Sequence, residues 1–206
     1  VTTFKSNKVR ALLAYLAVER QHSHHRDVLA DLLWPTSSNA LASLRDALSN
    51  LRRVLDDRDA DLPLIRVVAD TLQLNPLAFD QGLIRLDVAA VTDLRPDASE
   101  AALEHATALY RGDFLDGFAL SGCPDFEAWM LLHRESYRRQ ILNVLYRLTT
   151  FRLQRGDYAQ AQASARRQLV LDGYNEDAHR QLISALAFDG QRNRALTHYA
   201  AYAEML

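Results

Sequence analysis

The feature that most constrains this chain is an amphipathic segment, Ala40–Leu55. Its large apolar residues alternate three and four positions apart, at Leu41, Leu44, Leu48, Leu51 and Leu55. That spacing places them along one stripe of an α-helix. The remaining surface carries Ser43, Arg45, Asp46, Ser49, Asn50, Arg52 and Arg53. Because Arg, Asn and Ser side chains hydrogen-bond base edges and phosphates, the pattern is typical of a DNA-reading helix, and equally of an ordinary solvated face.

Composition excludes several classes of protein. A chain of 206 residues suits one large or two small domains with a substantial apolar core. A single cysteine, Cys123, excludes a disulfide framework and a cysteine-based zinc cluster. The sequence contains no long uncharged apolar run and no signal-peptide pattern. We therefore expect a soluble cytoplasmic protein without contact to a membrane.

Charge is distributed unevenly along the chain. The formal net charge is −2, but residues 1–55 contain eight Lys and Arg against four Asp and Glu. Residues 56–90 reverse the balance, with three basic against seven acidic side chains. Affinity for nucleic acid depends on the face that meets phosphate rather than on the total. We expect a moderate affinity for DNA that is increased by a second copy of the chain or by a partner. A second copy would make the protein a homodimer.

Two further helices precede the amphipathic segment. Asn7–Glu19 and Arg26–Trp34 both place apolar residues at helical spacing, and Pro35 ends the second. Residues 36–39 are Thr, Ser, Ser and Asn, which offer N-caps for the third helix. Three helices separated by short turns are the pattern of a helix-turn-helix domain.

Three histidines lie between the first two helices, at His22, His24 and His25. Such a group raises the question of a metal site. The sequence has no second group of Cys or carboxylate ligands at metal-binding spacing. We interpret the segment as a polar turn and predict neither a metal nor a cofactor.

A β-hairpin is predicted after an acidic turn. Leu64–Val68 is rich in β-branched residues, and Thr71–Asn75 alternates apolar and polar positions. The connecting turn lacks glycine. Three helices followed by a hairpin constitute a winged helix-turn-helix, with the hairpin as the wing. We further expect a strand at Gln81–Leu86 and a helix from Asp87 to Leu94.

The segment Arg95–Asp97 contains a proline between charged residues and is the expected domain boundary. It separates a winged-helix domain at 1–95 from an all-helical domain at 96–206. In the second domain, Ser99–Arg111 and Asp125–Arg155 read as helices. The fold class is therefore mainly α.

The C-terminal part contains a repeat of 34 residues. Gly156 and Gly190 are 34 positions apart, and so are Ala161 and Ala195. A glycine permits the tight turn between paired helices, and an alanine allows them to pack closely. The period predicts a tetratricopeptide-like arrangement.

Taken together, several segments resemble one family. They are Lys8–Ala17, Leu29–Pro35, Ala42–Leu55, Leu109–Phe118 and Trp129–Leu148. The chain is similar to the bacterial transcriptional activator domain proteins, which include the regulators of antibiotic biosynthesis in streptomycetes. The resemblance implies a winged helix similar to that of OmpR-type response regulators, followed by a tetratricopeptide-like activator domain. The family opens with several β-strands before the first helix, and this sequence begins after them.

Some members of the family are activators that bind promoter DNA and contact RNA polymerase. Other members are modules of larger proteins with ATPase domains. The resemblance implies that the third helix enters the major groove. Base edges would be met by Ser43, Asp46, Ser49 and Asn50, phosphates by Arg45, Arg52, Arg53 and Lys8, and the minor groove by Arg66. The alternative for each arginine is an ion pair with a nearby aspartate, such as Arg53 with Asp57.

The sequence leaves two candidate functions. The first is a DNA-binding transcriptional activator that contacts promoter DNA and RNA polymerase or another protein. The alternative is a protein-interaction or sensory module of a larger multidomain signalling ATPase, with weak or no DNA binding. An enzyme is not expected, because no phosphate loop, nucleophile elbow or catalytic cluster is found.

Overall fold

The computed structural model describes residues 3–205, which divide into two compact units. The first unit contains the chain up to Leu86 together with Leu115–Leu132. The second contains Asp87–Phe114 and the chain from His133 onward. The predicted domains, 1–95 and 96–206, remain a prediction.

Helices dominate the described part of the chain, which confirms the mainly α fold class. The first unit contains α1 (Asn7–Val18), α2 (Arg26–Leu33), α3 (Ala40–Val54) and α4 (Pro76–Asp80). The second contains α5 (Ala89–Thr92), α6 (Glu100–Leu109), α8 (Tyr158–Leu171), α9 (Glu176–Phe188) and α10 (Arg192–Ala203). The long helix α7 (Pro124–Arg155) supplies residues to both. Across residues 3–205, none of the helices is long and apolar enough to span a lipid bilayer.

The first unit is built on the leucine stripe of α3. Leu44 and Leu51 are buried, and α3 contacts both α1 and α2. These helices supply further fully buried side chains, among them Leu12, Leu16, Leu29 and Leu33. Burial of apolar surface along the stripe therefore fixes which side of α3 faces outward.

A three-stranded antiparallel sheet completes this unit. It consists of β1 (His24–His25), β2 (Ile65–Val68) and β3 (Thr71–Leu74), in the order β1-β3-β2. The hairpin strands, β2 and β3, are close to the predicted bounds. Their two-residue turn contains Ala69 at φ 51°, a conformation more usual for glycine. Ile65, Leu72 and Leu74 point into the core, so the opposite face of the hairpin carries its polar residues.

Three local predictions are corrected. His24 and His25 form a short strand, β1, rather than a turn, because their backbone pairs with the open edge of β3. Gln81–Leu86 forms turns instead of a strand. The helix expected from Asp87 to Leu94 is shortened to α5.

The second unit has two apolar clusters and one buried polar network. The first cluster joins α5, α6 and α7, and the second joins α8, α9 and α10. Between them, Gln168 donates through Nε2 to Thr149 Oγ1 at 3.0 Å and to Gln181 Oε1 at 2.9 Å. These side chains are buried and satisfied by one another, which ties α7, α8 and α9 together.

The two glycine turns of the predicted repeat have equivalent geometry. Gly156 and Gly190 both adopt positive φ, at 81° and 74°. In each turn the residue after the glycine donates its backbone N–H to a carbonyl five positions earlier, Asp157 to Arg152 and Gln191 to Leu186. The 34-residue offset therefore applies to the hydrogen bonds as well as to the residue types.

Two histidines, His179 buried and His198 half-buried, form a contact between α9 and α10. His179 Nε2 donates to the carbonyl of Gly173 at 2.9 Å. Its Nδ1 must then accept, and His198 Nε2 lies 3.0 Å away as the donor. Burial, followed by the nearby His179 and Arg166, lowers the pKa of His198 below its ordinary value.

This contact predicts a loss of stability in mild acid. Since the folded state favours neutral His198, unfolding takes up a proton, and stability is lost as the pH falls through 6.5, the ordinary histidine value. Denaturant midpoints measured across this range should fall less in His198→Gln, because glutamine retains an N–H donor and does not titrate. His105→Gln, at an exposed position, should keep the wild-type dependence. A wild-type dependence in His198→Gln would contradict the prediction.

Candidate nucleic-acid interface

A cleft in the first unit lies where α3, β2 and the segments beside them meet. Its volume is about 1050 Å³. Five arginines line it: Arg26, Arg45, Arg52, Arg58 and Arg66. One carboxylate, Asp57, is among the lining residues. The cleft is therefore strongly cationic even though the whole chain carries a net negative charge.

Four of the predicted site residues meet in this cleft. Arg45, Ser49 and Arg52 approach it from α3, and Arg66 approaches from β2. The first two α3 residues are four positions apart, which places them one turn apart on the same face. The helix and the hairpin thus present their polar residues to one shared space.

The other predicted residues lie outside the lining of the cleft. Asp46 and Arg53 are exposed on α3, and Ser43 is half-buried on the same helix. Lys8 belongs to α1, where its ammonium lies 5.3 Å from the centre of the Trp34 ring. A cation at this distance from a ring is attracted to its face.

The prediction that Asn50 is available on the outer face of α3 is wrong. Its side chain is only 2 % exposed, and its Oδ1 accepts the backbone N–H of Lys5 at 2.9 Å. Asn50 lies next to the leucine stripe on α3, and the segment before α1 covers it. Its amide therefore helps to hold the N-terminal segment and does not reach a base edge.

The electrostatics of the cleft depend on Asp57. This carboxylate is 1 % exposed and accepts hydrogen bonds from the backbone N–H groups of Leu64 and Ile65. Arg52 Nε lies 3.9 Å from its Oδ2. The ion pair considered from the sequence, Arg53 with Asp57, is replaced by Arg52 with Asp57. Arg52 is therefore partly neutralised within the protein.

Two arginines of the cleft were missed from the sequence. Arg58 lies in the acidic turn after α3, and its Nη2 donates to Ser49 Oγ at 2.9 Å. Arg26 is the first residue of α2, and its side chain lines the same space. No short sequence pattern relates either residue to α3, because both come to the cleft through the tertiary fold.

The start of α2 is joined to the hairpin turn. The backbone N–H of Arg26 donates to the carbonyl of Asp70 at 2.9 Å. His25 Nδ1 donates to the Asp70 carboxylate at 3.1 Å. This hydrogen bond is the main reason that the pKa of Asp70 lies below its ordinary value. The hairpin is thus attached to α2 as well as to β1.

The similarity to known proteins lies mainly in the C-terminal part of the chain. The family model described as the bacterial transcriptional activator domain matches residues 78–206. The match covers more than half of the sequence. The chain belongs to this family. The resemblance seen in the sequence is thereby confirmed, and the family is one of transcription regulators rather than enzymes. A search of curated proteins finds no significant match.

The role of Asp57 in shaping the cleft is testable. Asp57→Ala leaves the backbone donors of Leu64 and Ile65 buried without an acceptor, which should lower the free energy of unfolding by roughly 1–3 kcal/mol. Asp57→Asn retains one acceptor oxygen and should lower it less. Asp59→Ala, at an exposed position of the same turn, is the control. Urea denaturation measures all three. Equal stability of Asp57→Ala and Asp59→Ala would contradict this role.

Proposed function

We propose that the protein is a DNA-binding transcriptional activator. In this proposal its first unit is a winged helix-turn-helix, with α3 in the major groove of promoter DNA and the β2–β3 hairpin as the wing. The second unit is a tetratricopeptide-like domain that contacts RNA polymerase or another protein. The single observation that carries the DNA-binding part is the cationic cleft between α3 and the hairpin.

The shape of the first unit supports the winged-helix assignment. Three helices of suitable length are followed by an antiparallel hairpin, in the order that the motif requires. The buried leucine stripe leaves the Arg45 and Ser49 side of α3 exposed. A helix presented in this way fits the width of the major groove of B-DNA.

The charges of the cleft suggest separate roles for its residues. Arg45 and Arg66 are exposed and, within residues 3–205, their side chains make no ion pair. Their donors are thus available to phosphate oxygens. Ser49, together with Ser43 and Asp46 on the same helix, would meet base edges. Asn50 is removed from this set because it is buried. Arg53 and Lys8 would add phosphate contacts at the margin of the interface.

DNA binding is tested by measuring affinity at several salt concentrations. The probe is a duplex that the wild-type chain recovers from a random-sequence pool. Arg45→Gln and Arg66→Gln should each weaken binding and reduce the slope of log affinity against log salt by about 1, because each removes one phosphate contact. Arg192→Gln, exposed on α10 in the second unit, is the matched control.

If the double variant Arg45→Gln/Arg66→Gln binds the duplex with the affinity and salt dependence of the wild type, the cleft is not the DNA interface. If the wild-type chain recovers no duplex at all, the alternative function is favoured. The chain would then be a protein-interaction module of a larger signalling protein.

The repeated turns of the second unit support the tetratricopeptide-like assignment. Ala161 and Ala195 occupy equivalent positions and are both buried, so the paired helices approach closely at each. Stacked helix pairs of this kind present surfaces that bind other proteins. Several large apolar side chains of this unit are more than half exposed, including Val170, Tyr174, Phe188, Leu196 and Tyr199. Such side chains are suited to a protein partner, whether RNA polymerase or a second copy of the chain.

The activating role can be separated from DNA binding. Leu196 and Tyr199 are three positions apart on α10, so they share one face. Replacing both by Ser should leave affinity for the duplex unchanged and reduce transcription by bacterial RNA polymerase from a promoter that contains the duplex sequence. Asn193→Ser on the same helix is the control. Full transcription with the double variant would remove this face from the proposed partner surface.

A further inference from the structure

The second unit contains a cavity of its own, between α7 and the segment that carries α5. Its volume is about 450 Å³. Cavities that bind small molecules typically measure about 300–1,000 Å³. Every residue that lines the cavity belongs to the second unit, and none of them lines the cationic cleft of the first. The space is large enough for a small organic ligand.

The lining of this cavity combines apolar and cationic side chains. Its apolar members are Val91, Leu94 and Val144. Arg139 and Arg147 also line it, and no carboxylate from residues 3–205 does. Asp93 is close in sequence, but it accepts the hydroxyl of Thr92 at 2.8 Å and is not part of the lining. The charge of the cavity therefore favours an anion.

Arg139 is the cation available to such a ligand. Its side chain is exposed and, within residues 3–205, makes no hydrogen bond or ion pair. Two other arginines of the same helix, Arg152 and Arg155, both pair with Glu100. A guanidinium without a protein partner keeps all its donors for the oxygens of a carboxylate or phosphate.

Arg147 adds a positive charge that is fixed in place. Its Nη2 donates to the backbone carbonyls of Arg95 at 3.2 Å and Pro96 at 2.8 Å, which attaches α7 to the segment after α5. Asn143 lies four positions from each of the two lining arginines, so the three side chains form one row along α7. Its amide is exposed and can donate to an anion or accept from it.

We propose that this cavity binds a small organic anion, in which a carboxylate or a phosphate monoester is attached to a short apolar body. Arg139 pairs with the anionic oxygens, Asn143 adds a hydrogen bond, and the apolar body lies against Val91 and Val144. A guanidinium directs two parallel N–H groups at such oxygens, which fixes the orientation of the ligand as well as its charge. The site is additional to the proposed function and would bind its ligand whether or not the first unit binds DNA.

Three small probes test the site on the full chain in solution. Phenyl phosphate and benzoate each carry an anionic group on an aromatic ring, and benzyl alcohol is a neutral probe of similar size. The methyl signals of Val91, Leu94 and Val144 report binding in NMR spectra. We expect saturable shifts of these signals with an anionic probe, with a dissociation constant of about 1 mM for so small a ligand, and little change with benzyl alcohol. The tighter of the two anionic probes identifies whether the site prefers a phosphate monoester or a carboxylate.

Two variants test the role of Arg139. Arg139→Gln should weaken binding of the tighter probe by about tenfold, because it removes a charge-assisted pair of hydrogen bonds. Asn143→Asp places a carboxylate one turn from Arg139, where it pairs with the guanidinium and repels the probe, so it should weaken binding as well. Arg192→Gln, exposed on α10, is the matched control and should bind as the wild type does.

The inference is overturned if neither anionic probe shifts the three methyl-bearing residues, or if benzyl alcohol shifts them equally. Wild-type affinity in Arg139→Gln would also overturn it. Should that variant not fold, wild-type affinity in Asn143→Asp would have the same consequence. None of these results bears on the proposed DNA binding, since that function is tested with a duplex and with residues of the first unit.

Discussion

The geometry of the cleft depends on the buried carboxylate of Asp57. It accepts the first backbone N–H groups of the hairpin, from Leu64 and Ile65, and faces Arg52 near the end of α3. One side chain therefore joins the start of β2 to the end of α3. A buried anion is tolerated here only because it is hydrogen-bonded and paired.

This arrangement explains how a chain with a net negative charge can present a cationic surface. The acidic turn after α3 looks unfavourable for nucleic acid when charges are counted along the sequence. In the structure, its Asp57 is directed inward and its Arg58 lines the cleft. Among the residues that line the cleft, Arg45, Arg58 and Arg66 are exposed, whereas the carboxylate of Asp57 is buried.

The second unit depends on repetition rather than on one residue. Two glycine turns at positive φ and two buried alanines recur at the same interval. The family match covers this unit in full, so membership of the family rests on the second unit more than on the first three helices.

The sequence by itself determined helices α1, α2, α3, α6 and α7, the hairpin, the leucine stripe and the repeat, because each follows from local periodicity and turn chemistry. It also located α3 as the helix with the polar outer face. Only the tertiary structure decided which polar residues are available: it buried Asn50 beneath the N-terminal segment and paired Arg52 with Asp57. It also brought Arg26 from another helix beside Arg45. The burial of Asn50 and the approach of Arg26 to Arg45 are set by contacts between segments that are distant in the sequence, and a local pattern contains no information about them.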